Sequence, residues 1–310
     1  MILSGIITAA LTPLSNDGED LAENSRFEQY YKFLLERKIN GLLICGTTGE
    51  GPILGLRERK RVAELAVLTA SGQVPVIIHV GCNSTIETIE LARHAERINA
   101  DGIAVISPYF YSYDSQAQFN HFRRVADSVP SLPVYLYYLP SFTHNDITPA
   151  LITRLVEACP NIAGIKHSAD DRIRLQEYRQ VAGKDFCILS GDDSIALAAL
   201  SIGANGCVTG KSSTFPEMMV AIYTAFKSGD LTRAHKLQSN LNRLLGGLLD
   251  IGNGIDIAYL KSALRYRDLD IGGVRSPQRA LTRDEERILS SGLDQLKTLS
   301  NPPDTWLFPN

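Results

Sequence analysis

Eight short apolar runs recur along the chain, at 6–11, 41–45, 74–80, 102–107, 133–139, 162–165, 186–189 and 206–209. They are almost continuously apolar or β-branched rather than alternating, the pattern of strands covered on both faces. Between them lie amphipathic stretches of helical period, such as 57–70, 85–98, 115–128, 148–158, 173–181 and 194–202. Strand then helix, repeated, implies a parallel sheet, because parallel neighbours need a long crossover and a helix supplies it. Eight such units predict an α/β fold of the closed (β/α)8 TIM-barrel type. A doubly wound open sheet would show about five or six strands and a glycine-rich first turn, whereas the first run here ends in Leu11-Thr12-Pro13-Leu14.

Helical patterns continue past the eighth run, at 216–227, 231–246, 257–266 and 282–297. A barrel needs only one of these to close its last unit. Residues 1–230 are therefore expected to form the barrel and 231–310 a C-terminal helical extension packed on it, with Arg275-Ser276-Pro277 as a turn. Asn301-Pro302-Pro303 marks a loose terminus.

Charge and cysteine content narrow the partner. With 31 Lys+Arg against 34 Asp+Glu the formal net charge is −3, so no strong field draws nucleic acid or an anionic membrane. No apolar run reaches the ~18 residues of a membrane span, and the N-terminus lacks a basic region followed by a long apolar stretch. The five cysteines, Cys45, Cys82, Cys159, Cys187 and Cys207, contain no C-x-x-C pair and read as reduced thiols. A cytoplasmic protein with a small-molecule partner is expected.

In barrels of this class the reacting groups come from the C-terminal ends of the strands and the loops after them. The second run enters Gly46-Thr47-Thr48-Gly49-Glu50-Gly51, a loop able to aim backbone N–H groups and two hydroxyls at one anion, or simply a turn with a threonine cap. The sixth run ends in Lys166-His167-Ser168. A lysine there either snorkels to solvent or projects into the barrel mouth, where desolvation favours the nucleophilic amine. His167 should face the other way as a structural residue. In the fifth run Tyr135 and Tyr137 share one face and Tyr138 takes the other. Asp192-Asp193, after the seventh run, resembles a metal site but is better read as a helix cap.

Taken in order, Gly46-Thr47-Thr48-Gly49-Glu50, Ser107-Pro108-Tyr109, Tyr137 three residues before Pro140, Gly164-Ile165-Lys166 and Ser190-Gly191-Asp192-Asp193 resemble the dihydrodipicolinate synthase / N-acetylneuraminate lyase superfamily of class I pyruvate aldolases. The likeness extends to Lys261-Ser262-Ala263-Leu264 and Val274-Arg275-Ser276-Pro277. It implies that Lys166 is the Schiff-base lysine and Tyr137 the phenol that shuttles protons, and that Thr47 and Thr48 hold the carboxylate of a 2-oxo acid. Thr48 is also expected among the catalytic groups. Val208 would bring its backbone carbonyl near that site, Gly191 would help shape the pocket, and Ser168 would contact substrate. The resemblance implies no cofactor and no metal, because the iminium itself serves as electron sink, and a homotetramer built from dimers.

Departures from the family pattern bear on the substrate. The lysine-biosynthetic synthase has an arginine after the Pro-Ser of strand five and a tyrosine immediately after the Pro-Tyr of strand four. Here Phe142 and Phe110 stand in those places, with Tyr111 as a possible substitute for the latter. Neuraminate lyases carry an Asp-Glu pair and a serine where this chain has Asp193-Ser194 and Gly210. The sequence therefore puts first a lyase that cleaves a 2-keto-3-deoxy sugar acid to pyruvate and an aldehyde. The alternatives are dihydrodipicolinate synthase, a dehydratase or hydratase-aldolase using the same lysine, and a non-catalytic 2-oxo-acid sensor.

Overall fold

A computed structural model describes residues 2–249 and 257–299. Eight parallel strands close into a barrel in sequence order, with β1 paired to both β2 and β8. The units run β1 (Gly5–Ala9), α1 (Asn24–Glu36), β2 (Gly41–Ile44), α2 (Leu56–Ala70), β3 (Val76–His79), α3 (Thr85–Arg97), β4 (Gly102–Ile106) and α4 (Ser115–Asp127). They continue as β5 (Val134–Tyr138), a short α5 (Pro140–Thr143), α6 (Pro149–Ala158), β6 (Ile162–His167), α7 (Ile173–Ala182), β7 (Cys187–Ser190), α8 (Ala196–Ser201), β8 (Gly206–Thr209) and α9 (Pro216–Lys227). The (β/α)8 barrel expected from the eight runs is the fold.

Continuous apolarity has its reason in two separate packing layers. Ile7, Ala9, Leu43, Ile77, Ala104, Tyr135, Cys187, Leu189 and Val208 form one cluster, contributed by alternate strand positions that point into the lumen. The intervening positions, such as Leu42, Ile44, Ile78, Val105 and Leu136, belong to a second cluster with the helices. In β5 this alternation sends Tyr135 inward and Tyr138 outward, on opposite faces as the sequence predicted. Helix α1 fills an interval in which the sequence analysis singled out no helix. Its buried Phe27, Tyr30, Tyr31 and Leu34 recur at helical spacing, and the Tyr30 hydroxyl donates to Ser213 O at 3.0 Å. Local caps set the helix starts: Ser84, Asp114 and Thr148 accept from backbone N–H groups at the starts of α3, α4 and α6.

Beyond the barrel lie α10 (Leu231–Leu249), α11 (Ile257–Tyr266) and α12 (Arg283–Leu299). Leu237, Leu241, Tyr259, Ala263, Leu289 and Leu293 of these helices share a core with Ile6, Met218, Met219 and Ile222 of the barrel. Ile257, Leu260 and Leu264 join the main core as well. The segment after residue 230 is thus fastened to the barrel through two clusters. The expected turn at Arg275-Ser276-Pro277 contains a cis Ser276–Pro277 bond. Asn301-Pro302-Pro303 lies outside the described residues. Among the described residues no helix is long and apolar enough to cross a membrane, and all five cysteines are free and buried.

Candidate active site

The loop after β2 is forced into its shape by close backbone approaches. A Cβ on Gly51 would stand 1.8 Å from Cys45 O, and one on Gly49 would stand 2.8 Å from Ala10 O. Glu50 N–H donates to Thr47 O and Gly51 N–H to Gly46 O, both at 3.1 Å, while Thr12 Oγ1 donates to Gly49 O at 2.6 Å. Two non-glycine residues, Cys45 and Glu50, adopt left-handed φ values of 56° and 59°, a conformation that needs local support. Glu50 receives it from the C-terminal extension. Its buried carboxylate meets Lys261 Nζ at 2.7 Å and accepts from Arg275 N–H at 2.7 Å. This ties the threonine loop to α11 and to the chain after it.

The loop presents Thr47 to β5. Its Oγ1 lies 3.1 Å from the Tyr137 hydroxyl, and Tyr137 is itself paired in register with Lys166 of β6. Lys166 does not reach for solvent: it is 7% exposed and its Nζ sits 4.0 Å from the centre of the Tyr137 ring. His167 faces outward between the rings of Tyr138 and Tyr178, at centroid distances of 5.3 and 6.0 Å, the structural placement expected for it. On the other side of Lys166, the backbone of Gly191 comes so close that a Cβ there would stand 2.9 Å from Lys166 Cε and 1.8 Å from Ser168 Oγ. Any side chain at 191 would displace both.

The remaining expected residues gather at the same end. Val208 lies in the lumen cluster, and Gly210, two residues on, stands where a Cβ would be 3.0 Å from Thr48 Oγ1. A cavity of about 420 Å³ opens beside Gly191 and Ser168, the first of which packs against Lys166, and its lining also includes Ser141, Asp170, Asp192, Asp193, Ser194 and Lys211. Asp192 Oδ1 accepts from both the backbone N–H and the hydroxyl of Ser194, at 2.9 and 2.6 Å, so it is engaged as a cap. Asp193 Oδ2 accepts from Lys211 N–H at 3.1 Å, and burial pushes its carboxyl above the usual range. No cluster of three or more His, Cys, Asp or Glu suited to a metal occurs among the described residues.

Three residues flagged by the departures fall differently from a simple substitution in place. Phe142 is 53% exposed and the cavity wall there is Ser141. Phe110 and Tyr111 meet edge to face at 5.0 Å on the surface; it is Tyr109 that packs against the Tyr137 cluster. Lys211 in the cavity wall and His79 at the end of β3 are not among the site residues expected from the sequence. His79 ends β3 in the same way that Lys166 lies at the end of β6, with its ring edge to face against Tyr137 at 5.8 Å. A polar residue closing an apolar strand was the available signal. Burial, reinforced by the Arg59 guanidinium, holds the His79 imidazole well below its ordinary pKa.

Comparison with known proteins identifies the family and agrees with the barrel fold. The chain is 37% identical over 240 residues to the 4-hydroxy-tetrahydrodipicolinate synthase of Brucella abortus, covering 77% of this chain and 81% of that one. Among solved structures it is similar to YagE, a prophage protein belonging to the dihydrodipicolinic acid synthase family of E. coli, in complex with pyruvate. The TM-score is 0.89 and the identity 31%, over 96% of this chain and 99% of that one. Sialic acid aldolase of Ruminococcus gnavus superposes with a TM-score of 0.90 at 26% identity, over 96% of this chain and 97% of that one. The model of the dihydrodipicolinate synthetase family matches residues 2–296. The chain therefore belongs to that family, whose members are class I pyruvate-dependent carbon–carbon lyases and aldolases.

Proposed function

We propose that this protein forms a Schiff base between Lys166 and pyruvate and makes or breaks a carbon–carbon bond at the pyruvate methyl carbon. The observation that carries the proposal is the enclosed Lys166 amine lying over the Tyr137 ring, whose hydroxyl is hydrogen-bonded to Thr47. Thr47 and Thr48 hold the carboxylate. The Lys166 amine adds to the adjacent ketone, water leaves, and the iminium draws electrons from the C3 position. Tyr137, partnered by Thr47, carries protons to and from the reacting oxygen and carbon. Gly191 keeps the wall beside the lysine clear, and Ser168 and Val208 border the bound substrate. The family's homotetramer and a cytoplasmic location belong to the same proposal, the assembly being testable by light scattering.

The relatives support an aldehyde partner other than the one the sequence puts first. Their name is that of the synthase, which favours condensation of pyruvate with aspartate semialdehyde over cleavage of a 2-keto-3-deoxy sugar acid. Phe142 supplies no cation for the semialdehyde's carboxylate; in this reading that role goes to Lys211 of the cavity wall, whose charge also acts on Asp193. One observation keeps the sugar acid as a second reading: Asp170, Asp192, Asp193, Ser141, Ser168 and Ser194 line the same cavity, a surface that suits neutral hydroxyls better than a second carboxylate. The test is kcat/KM for pyruvate plus aspartate semialdehyde beside that for cleavage of 2-keto-3-deoxygluconate and its epimers. The synthase reading predicts that the semialdehyde reaction is the faster and collapses in Lys211→Met. A sugar-acid rate at least ~10-fold higher, equal to 1.4 kcal/mol of preference, would transfer the assignment to the second reading.

A further inference from the structure

At the end of β3 sits a buried group that the proposed chemistry does not use. His79 is 2% exposed. Its Nδ1 lies 3.0 Å from the Cys45 carbonyl and 3.4 Å from Arg59 Nη2. A carbonyl oxygen only accepts, so the shorter contact is an Nδ1–H donating to Cys45 O, and Nε2 is left as the bare nitrogen. Arg59 fastens the same strand end from beside the ring, donating from Nη2 to His79 O at 2.6 Å and from Nη1 to Gly81 O at 3.1 Å. The ring then meets Tyr137 at an interplanar angle of 84°.

Both contacts of this ring lead to the reacting site. Cys45 is held in the left-handed region immediately before Gly46-Thr47-Thr48, and such a conformation persists only where its surroundings fix it. Tyr137 is the residue whose hydroxyl bonds Thr47. One imidazole therefore braces both ends of the Thr47–Tyr137 hydrogen bond, from below the loop on one side and against the phenol ring on the other. We propose that His79 is a positioning residue of the Schiff-base site, holding the carboxylate-binding loop through Cys45 and the Tyr137 phenol through its ring. The role rests on Lys166, Tyr137, Thr47 and Thr48 being that site. Small displacements of such groups matter, since a misplacement of ~1 Å can cost about 100-fold in rate.

Two substitutions separate the two contacts. His79→Asn keeps an N–H donor near the Nδ1 position and removes the ring. His79→Phe keeps a ring and removes the donor. The proposal expects His79→Asn to retain the pyruvate KM within about threefold while kcat falls about tenfold, as for a loosened acid–base group. It expects His79→Phe to raise the pyruvate KM about tenfold with kcat changed less than about threefold, since the orphaned Cys45 carbonyl releases the loop. If one variant does not fold, the other decides. Equal effects of both variants on KM and kcat in step with a lowered Tm, wild-type kinetics in both, or failure of both to fold would each overturn the positioning role. Wild-type protein is treated with pyruvate and borohydride alongside. Trapping on Lys166 with kinetically indifferent variants removes His79 alone, whereas absence of trapping removes the site reading on which it rests.

Discussion

Replacing Tyr137 by Phe deletes one oxygen from the centre of the site and little else. The side chain is 2% exposed, and its hydroxyl is hydrogen-bonded to Thr47 Oγ1 at 3.1 Å. The ring keeps its contacts with Lys166 at 4.0 Å and His79 at 5.8 Å. The stability cost is that of one net hydrogen bond, about 1 kcal/mol, which lowers Tm by only a few degrees in a chain of this size. In the proposed mechanism carboxylate binding stays with Thr47, Thr48 and the loop N–H groups, so the pyruvate KM should move less than about threefold. The lost proton shuttle should lower kcat by ~10²- to 10⁴-fold. Steady-state release or consumption of pyruvate, read through lactate dehydrogenase, measures both constants, and calorimetry measures Tm. A Tyr137→Phe enzyme with kcat within about threefold of wild type would refute the role given to the phenol.

Lys261→Met leaves the buried Glu50 carboxylate without its cation, which should destabilise the protein by about 3–5 kcal/mol, while E50Q/K261M recovers most of that loss; urea unfolding of the single and double variants checks the pattern. The same urea measurement at two pH values tests the buried histidines. Burial lowers His121 and His167 to about 4 from the ordinary 6.5. The unfolded chain thus takes up protons first as pH falls, and stability present above the unfolded pKa is lost on the way down toward 4. Each residue should contribute a loss of ~2 kcal/mol between pH 7 and pH 5, and equal stability at the two pH values would contradict the assignment. A further prediction follows from the glycine beside the lysine. Gly191→Ala places a methyl 1.8 Å from Ser168 Oγ and 2.9 Å from Lys166 Cε, so Schiff-base formation should slow about tenfold or more from misplacement of the amine, whereas trapping at the wild-type rate would show that the wall has room to yield.

The barrel was legible because burial on both faces leaves a mark that no other strand environment leaves. Unbroken apolar runs such as 102–106 and 134–138 are read directly as lumen and helix layers. Helix α1 escaped notice although Phe27, Tyr30, Tyr31 and Leu34 have the right spacing, because Glu28, Gln29 and Lys32 between them lower the local apolar content. Of the proposed site, Lys166, Tyr137 and the threonines were picked out by position on the strand ends and by the family resemblance, and the fold brings Lys166, Tyr137 and Thr47 together. The ties that hold them were not legible. Glu50 to Lys261 and Arg275 spans more than two hundred residues of sequence, and no local pattern announces such a pair. His79 was overlooked for the opposite reason: a lone histidine in an apolar run looks like a packed core residue until Cys45, Arg59 and Tyr137 are seen around it. Phe142 shows a third limit, since the position after Pro-Ser was expected to face the aldehyde and the fold instead turns Ser141 to the cavity.

The central claim is that Lys166 carries the chemistry as a covalent nucleophile, and borohydride reduction in the presence of pyruvate tests it most directly. The account predicts that the intact protein gains one reduced pyruvyl group, that the modified peptide maps to Lys166, and that activity is lost in proportion. An active enzyme whose Lys166 peptide remains unmodified, or in which the label falls on another lysine such as Lys211, would contradict it.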